Sequence, residues 1–316
     1  MDYLSKFKKP LFTGLVIGIA VIVALMILAD FQDVLRAFSR MDLKLLPLIL
    51  LLAPLNYFFR FLKWNFYLKL SGIYPEPRMN RYIFMSGLSM TITPGKVGEL
   101  LKCYLLKEHM NAPVSKTSSI VMAERVTDGL AMVVLASLGL LAFPQGKVIV
   151  PICAGILLLL ILFFQVDGLF NFLMDKAARV GKNNYLQRGL LFIANFQRSA
   201  KLLLAPRNLL YAVGIGVISW GFEGFVVYFA VQALGGEISI LGSLFAVSFS
   251  SLLGALSFLP GGLVVAEGSI MAILILTGLG SETAAATTII TRFSTLWLGV
   301  LVGITGLYLT QRELKK

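Results

Sequence analysis

The sequence predicts an all-α polytopic membrane protein, on three observations. Apolar residues make up 58% of the 316 residues and charged residues only 14%, against roughly 45–50% apolar in soluble domains. Mean hydropathy is +0.85. Several stretches run about 18 residues or more without a charge, enough to cross the ~30 Å hydrocarbon core. About six spanning helices and two broken, re-entrant hairpins are expected, arranged as an inverted repeat in a single transmembrane domain covering 1–316.

The first apolar stretch, 11–29, follows Lys6, Lys8 and Lys9. It is longer than the apolar core of a signal peptide and lacks a small-x-small cleavage pattern before Asp30, so it reads as a retained helix. Further spans are expected at about 45–68, 117–143, 148–166, 208–234 and 284–310. Two other apolar regions, about 82–106 and 239–279, are interrupted by Pro94-Gly95 and Pro260-Gly261-Gly262. Proline removes a backbone donor and glycine permits a sharp turn, so both breaks read as hairpin tips. Broken backbone is tolerated at membrane depth only where protein or trapped water satisfies it. Between the halves, 167–207 alternates apolar Leu190, Leu191 and Ala194 with Arg188, Gln197 and Arg198. That pattern fits an amphipathic helix on anionic headgroups and equally a solvated connector.

The formal net charge of +12 invites a nucleic-acid partner, but basic residues also collect in the cytoplasmic segments of membrane proteins. With the N-terminus inside, 22 of the 28 Lys and Arg residues fall on the cytoplasmic side and four outside, leaving Arg125 and Arg292 within apolar helices. The bias predicts a multi-pass protein of the cell inner (plasma) membrane with both termini cytoplasmic, and no nucleic acid is needed. His109 is the only histidine, and Cys103 and Cys153 stand in apolar surroundings. No metal site, disulfide framework or cofactor is expected.

The two breaks share a spacing. Pro94 precedes Arg125 by 31 residues and Pro260 precedes Arg292 by 32, each Arg falling about eight residues into the next span. Glu99 and Glu267 each follow their Pro-Gly closely. Repeat one is therefore placed at about 45–143 and repeat two at about 208–310. Counting spans puts the first hairpin on the cytoplasmic side and the second outside, an inversion used by transporters whose broken segments meet at a midplane site.

An ionisable residue inside a spanning helix costs at least ~2.5–3.5 kcal/mol on insertion scales. Glu124, Arg125 and Asp128 share a broad helical face, as a self-neutralising docking cluster, a functional group, or both. Arg292 has no acid nearby in its own helix, and Glu223 and Glu267 are its candidate partners. Arginine suits phosphate because its planar guanidinium donates paired hydrogen bonds. Lys96 at the first tip adds a cation, and the helix after Pro94-Gly95 would aim free N–H groups at the same place. The hydroxyls of Ser89, Thr91, Thr93 and Ser257 can bind headgroup oxygens or satisfy frayed backbone. Gly299, Gly303 and Gly306 favour close helix packing. Trp64 and Trp220 read as packing or interfacial residues; Trp297, five residues after Arg292, is a candidate site residue.

At these motifs the chain resembles the flippase-like membrane domain found as the transmembrane region of lysyl-phosphatidylglycerol synthases. The matching pieces are Thr93-Pro94-Gly95-Lys96-Val97-Gly98-Glu99, Glu124-Arg125-x-x-Asp128, Pro260-Gly261-Gly262 with Glu267-Gly268, and Arg292 with Trp297. The resemblance implies a lipid-translocating domain whose cavity these residues line. The chain departs from the pattern at Val264 and Ala266, where a small and a basic residue are expected, and shows no soluble aminoacyl-transferase domain.

The function expected is a lipid translocator, not an enzyme, that carries an anionic or phosphate-bearing headgroup through a midplane polar cavity. Its partners would be membrane lipids, anionic phospholipid or glycolipid, and a separate lipid synthase. The alternatives are a membrane-embedded group-transfer enzyme on a lipid-linked substrate and a lipid-presenting subunit of such a synthase.

Overall fold

The computed structural model describes residues 3–93, 97–140, 143, 146–168 and 184–315, and every regular element among them is helical. Helix α1 (Tyr3–Leu28) ends at Asp30, whose side chain accepts from Gln32 N and starts α2 (Phe31–Ser39). The chain turns through 96° between them. A 3₁₀ turn at Leu43–Leu45 leads into α3 (Leu46–Leu70).

The first broken region contains α4 (Pro77–Leu88), a 3₁₀ turn at Val97–Leu100 and α5 (Leu101–Met110). Pro94, Gly95 and Lys96 lie outside the described residues. Helices α6 (Val114–Gly139) and α7 (Ile149–Gln165) follow, then α8 (Asn184–Leu203) and α9 (Pro206–Ala233). The second broken region is α10 (Ile240–Leu256) and α11 (Val265–Leu276). The last apolar stretch is α12 (Ser281–Arg292), a π-helical turn at Phe293–Trp297 and α13 (Leu298–Leu314).

All six expected spans are helices. Three of them, Leu43–Leu70, Pro206–Ala233 and Ser281–Leu314, are long and apolar enough to cross a membrane, and the bent pair Phe12–Leu28 with Phe31–Ser39 makes a fourth if it is one span. Helix α6 has the length but carries Glu124, Arg125 and Asp128, whereas α7 has only 17 residues.

The second tip is built from backbone conformations that side chains resist. Phe258, Gly261, Gly262 and Val264 all have positive φ, and Val264, at φ 73 and ψ −58, is β-branched. That geometry is strained for any L-residue and most for a branched one. It coincides with the position where a small residue was expected.

Packing brings the sequence-distant elements together. Helix α3 lies along α9, α4 along α13, and α10 along α6. The α4–α13 contact is backbone to backbone. A Cβ on Gly303 would collide with the main chain of Leu88 and Ser89, and one on Gly306 with that of Met85 and Ser86. Ser86 Oγ and Thr310 Oγ1 meet at 3.0 Å across this seam. The expected packing role of these glycines is met.

In the connector, residues 169–183 lie outside the described ones. Helix α8 packs on α6, but not through the face the alternation suggested. Ala200, Leu203 and Gln197 are buried while Leu191, Phe192 and Ile193 face outward. Gln197 is drawn in because its Nε2 donates to Phe164 O in the last turn of α7, 3.1 Å away; such carbonyls have no partner in their own helix.

Two glycine substitutions should act with opposite signs. Gly303→Ala should lower the thermal stability of the purified protein by about 1–3 kcal/mol, because two backbones must separate. Gly155→Ala in α7, where a Cβ meets nothing within 4 Å, should raise it by about 0.5–1 kcal/mol through reduced chain entropy. Thermal unfolding in detergent or nanodiscs reads both.

Candidate functional site

Helix α3, largely apolar, carries one face of buried polar and aromatic side chains. Tyr57, Arg60, Lys63 and Trp64 recur at three- and four-residue intervals, the spacing that places side chains on one helical face, and all four are buried. Glu99 comes from the 3₁₀ turn after the first tip, Lys102 from α5, and Glu124, Arg125 and Asp128 from α6.

Their charges interlock. Lys63 Nζ donates to Asp128 Oδ1, and Arg125 Nη2 lies 3.1 Å from Asp128 Oδ2 and 3.2 Å from Glu99 Oε2. Lys102 Nζ donates to Glu124 Oε2 at 2.6 Å and sits 4.2 Å above the Trp64 ring, a cation–π contact. Arg60 Nη2 completes the cluster 3.8 Å from Glu99 Oε1. Four cations thus meet three carboxylates, and six of the seven residues are almost fully buried; Arg125 is the more open one, at 23% of its side chain. Arg125 Nε has no hydrogen-bond partner among the described residues, so this guanidinium keeps donor capacity despite its two carboxylates.

The second cluster is smaller. Arg292 Nε donates to Glu267 Oε1 at 2.5 Å, and its Nη2 donates to Gly261 O at 3.1 Å. One guanidinium thereby ties α12 both to the first turn of α11 and to the tip. Thr291, Ser294 and Thr295 each return their hydroxyls to carbonyls four residues back, a habit that loosens helices. The π turn begins right after Arg292, and Tyr57 Oη donates to its Thr295 carbonyl at 2.5 Å. Single π turns gather at functional positions.

Both clusters open on one cavity of about 290 Å³. Arg60, Arg125, Asp128, Glu223 and Arg292 give it a charged floor; Met132, Leu157, Leu252, Phe258 and Leu296 are among its apolar walls. The tip glycines Gly261 and Gly262 line it too. The volume lies near the lower end of the ~300–1,000 Å³ of small-molecule pockets.

Of the residues singled out in the sequence, Arg125, Asp128, Glu223, Arg292 and both tip glycines therefore face one space. Glu99 and Glu124 stand behind Arg125 and Lys102, and Glu267 is the partner of Arg292. Thr93 is engaged in its own turn, donating to Met90 O and accepting from Gly98 N. Ser89, Thr91 and Ser257 likewise donate to carbonyls three residues earlier. All four hydroxyls thus donate to backbone, and Thr91 also lines the cavity. Trp297 packs where a Cβ on Gly18 of α1 would collide with its ring and is not among the cavity residues. Lys96, Pro94 and Gly95 lie outside the described residues, and Pro260 sits at the second tip next to the lining.

Arg60, Lys63 and Lys102 are among the 22 cations counted on the cytoplasmic side, and the structure buries all three within the first cluster. The signal was present, since 60 and 63 fall inside the span expected at 45–68. Trp220, read as a packing residue, lines the cavity. Among the described residues no three His, Cys, Asp or Glu side chains are grouped to hold a metal ion.

A family model described as the lysylphosphatidylglycerol synthase TM region matches residues 15–303. The chain belongs to this family. The match takes in both hairpins, both buried Glu–Arg pairs and the whole cavity lining. A UPF0104 membrane protein of Methanocaldococcus jannaschii is 29% identical over 230 residues, 72% of this chain and 95% of its own length. UPF0104 membrane proteins of Pyrococcus horikoshii and Methanothermobacter thermautotrophicus are 23% and 21% identical over 92% and 93% of this chain, and 94% and 93% of theirs. These names describe membrane proteins and state no activity.

The Lys102–Glu124 pair lends itself to a double-mutant cycle. Glu124→Leu alone, or Lys102→Met alone, strands a buried charge and should cost about 3–5 kcal/mol. The double variant should recover most of that loss, and equilibrium unfolding in detergent measures the coupling.

Proposed function

We propose that this protein is a lipid translocator that carries an anionic or phosphate-bearing headgroup through its central cavity. One observation carries the reading: Arg125 and Arg292, 167 positions apart in the chain, line the same cavity. Each is paired with a glutamate and lines the cavity with its guanidinium. Two such forks suit phosphate oxygens, and the surrounding apolar walls keep water from competing with them.

An inverted repeat is part of the proposal, with 45–143 and 208–310 as its halves within one transmembrane domain over 1–316. The Glu99–Arg125 and Glu267–Arg292 pairs are equivalent under it. So are the α4–α13 and α10–α6 contacts, while α3 against α9 is the pair a two-fold axis maps onto itself. Re-entrant hairpins entering from opposite sides would then close the cavity alternately. The protein sits in the cell inner membrane with both termini cytoplasmic, takes phospholipid or glycolipid as cargo, and draws on a separate synthase for it. It performs no covalent chemistry.

Reconstituted protein should move a labelled phospholipid or glycolipid between leaflets of proteoliposomes, and an Arg125→Ala/Arg292→Ala variant of equal thermal stability should lose that flux at least tenfold. Equal rates across the candidate lipids would discard the mechanism. Product formed by the purified chain from a lipid-linked donor would move it to the group-transfer enzymes. Flux that needs a partner subunit would make it a lipid-presenting component.

A further inference from the structure

The cavity has an outer rim as well as a charged floor, and the rim is made of residues that belong to two surfaces at once. Ile156 of α7, with Leu256, Phe258 and Leu259 at the second tip, line the cavity. The same four are 51%, 45%, 74% and 40% exposed on the outside of the molecule. A residue can be both only at an opening. Other lining residues are covered: Leu88, Thr91 and Asp128 are buried, and Leu157 of α7 packs on α6 at Gly129. The opening therefore lies between α7 and the 256–259 turn.

Its surroundings say what passes through it. Helix α7 carries Ile152, Leu158, Leu159 and Leu162 exposed on its outer surface and no charge along its length. In a membrane protein an unbroken apolar exterior of this kind faces hydrocarbon, and polar backbone there must be covered. The opening thus connects a charged floor to the acyl layer sideways, not to water.

We propose that the gap between Ile156 of α7 and the Leu256–Leu259 turn is an acyl-chain subsite, through which the tail of a lipid stays in the bilayer while its headgroup lies at Arg125 and Arg292. The inference rests on the translocator reading for its cargo and adds the route. Its chemistry is fixed at both ends: phosphate oxygens inside, an unbranched or isoprenoid hydrocarbon outside. Phe258 is held outward by a backbone at φ 53, which makes the aromatic ring one jamb of the opening. Leu157, packed over Gly129, borders the other side.

Photolabelling of the full chain in nanodiscs tests it. The probes are phosphatidylglycerol and a polyprenyl phosphate, each with a diazirine midway along the hydrocarbon, and a diacylglycerol bearing the same diazirine. Mass spectrometry should find adducts at Ile156 and 256–259 enriched several-fold for a phosphate-bearing probe over diacylglycerol, with Leu159 and Leu162 labelled equally by all three. The enrichment should fall to the diacylglycerol level in Arg125→Ala/Arg292→Ala, and Ile156→Trp should suppress it while leaving Leu159 labelling unchanged. Equal labelling at the opening by all probes, or enrichment on another helix face, overturns the subsite. Enrichment at the opening without flux in proteoliposomes keeps the subsite and removes the translocator; flux without enrichment does the reverse.

Discussion

The desolvation of charge is the constraint on which this structure depends. An unpaired ion far from water costs several kcal/mol, whereas a pair with good geometry recovers most of it. Helices α3 and α6 each carry at least two buried ionic side chains and α5 carries one, Lys102, and none of these sets is neutralised within its own helix alone. Lys63 needs Asp128, Lys102 needs Glu124, and Glu99 brings Arg125 and Arg60 together. The apolar side chains supply most of the contact area, but they tolerate many registers. Charge pairs tolerate few. The position of the first hairpin against α3 and α6 follows from that intolerance.

The second half solves the same problem with one cation. Arg292 is answered by Glu267 and by a carbonyl of the tip itself, so a side chain facing the cavity also fastens the loop beside it. Any anion that takes donors from Arg292 takes them from that fastening. The adjoining backbone is already strained at Val264 and Phe258, and the π turn after Arg292 is stabilised from outside by Tyr57. The floor of the cavity and its strained wall are thus chemically the same place. The first half has no such economy: its cations are held by three carboxylates and packed aromatic rings.

Much of this was legible in the sequence because the cost of a buried charge is written into residue type. Arg125 and Arg292 stood out inside apolar runs, and the similar distances from each Pro-Gly to its arginine pointed to paired elements before any contact was known. The Glu267 partnership was one of two choices left by elimination. Arg60, Lys63 and Lys102 were hidden by the same rule that exposed the span boundaries: near the end of an apolar stretch, a cation looks like a loop anchor. Only the third dimension shows that Trp64 covers Lys102 and that Asp128 reaches Lys63. Trp297 was drawn toward the site by its nearness to Arg292 in sequence, whereas its contact with Gly18 depends on how α1 lies, which no local pattern encodes. Gln197 was assigned to a polar face for the same reason, since its carbonyl partner is on another helix.

The glycine seam between α4 and α13 has a consequence for how the chain comes into being. Ser86 and Thr310, which meet across it, are 224 residues apart in sequence. During synthesis α4 enters the membrane long before its partner exists, with the main chain along one face uncovered where Gly303 and Gly306 will later fit. Contacts of such separation form late and slowly, and until they form the early segments are open to wrong associations. Helix α13 therefore acts as a clasp: the exposed face of α4 is closed only once that helix has been made.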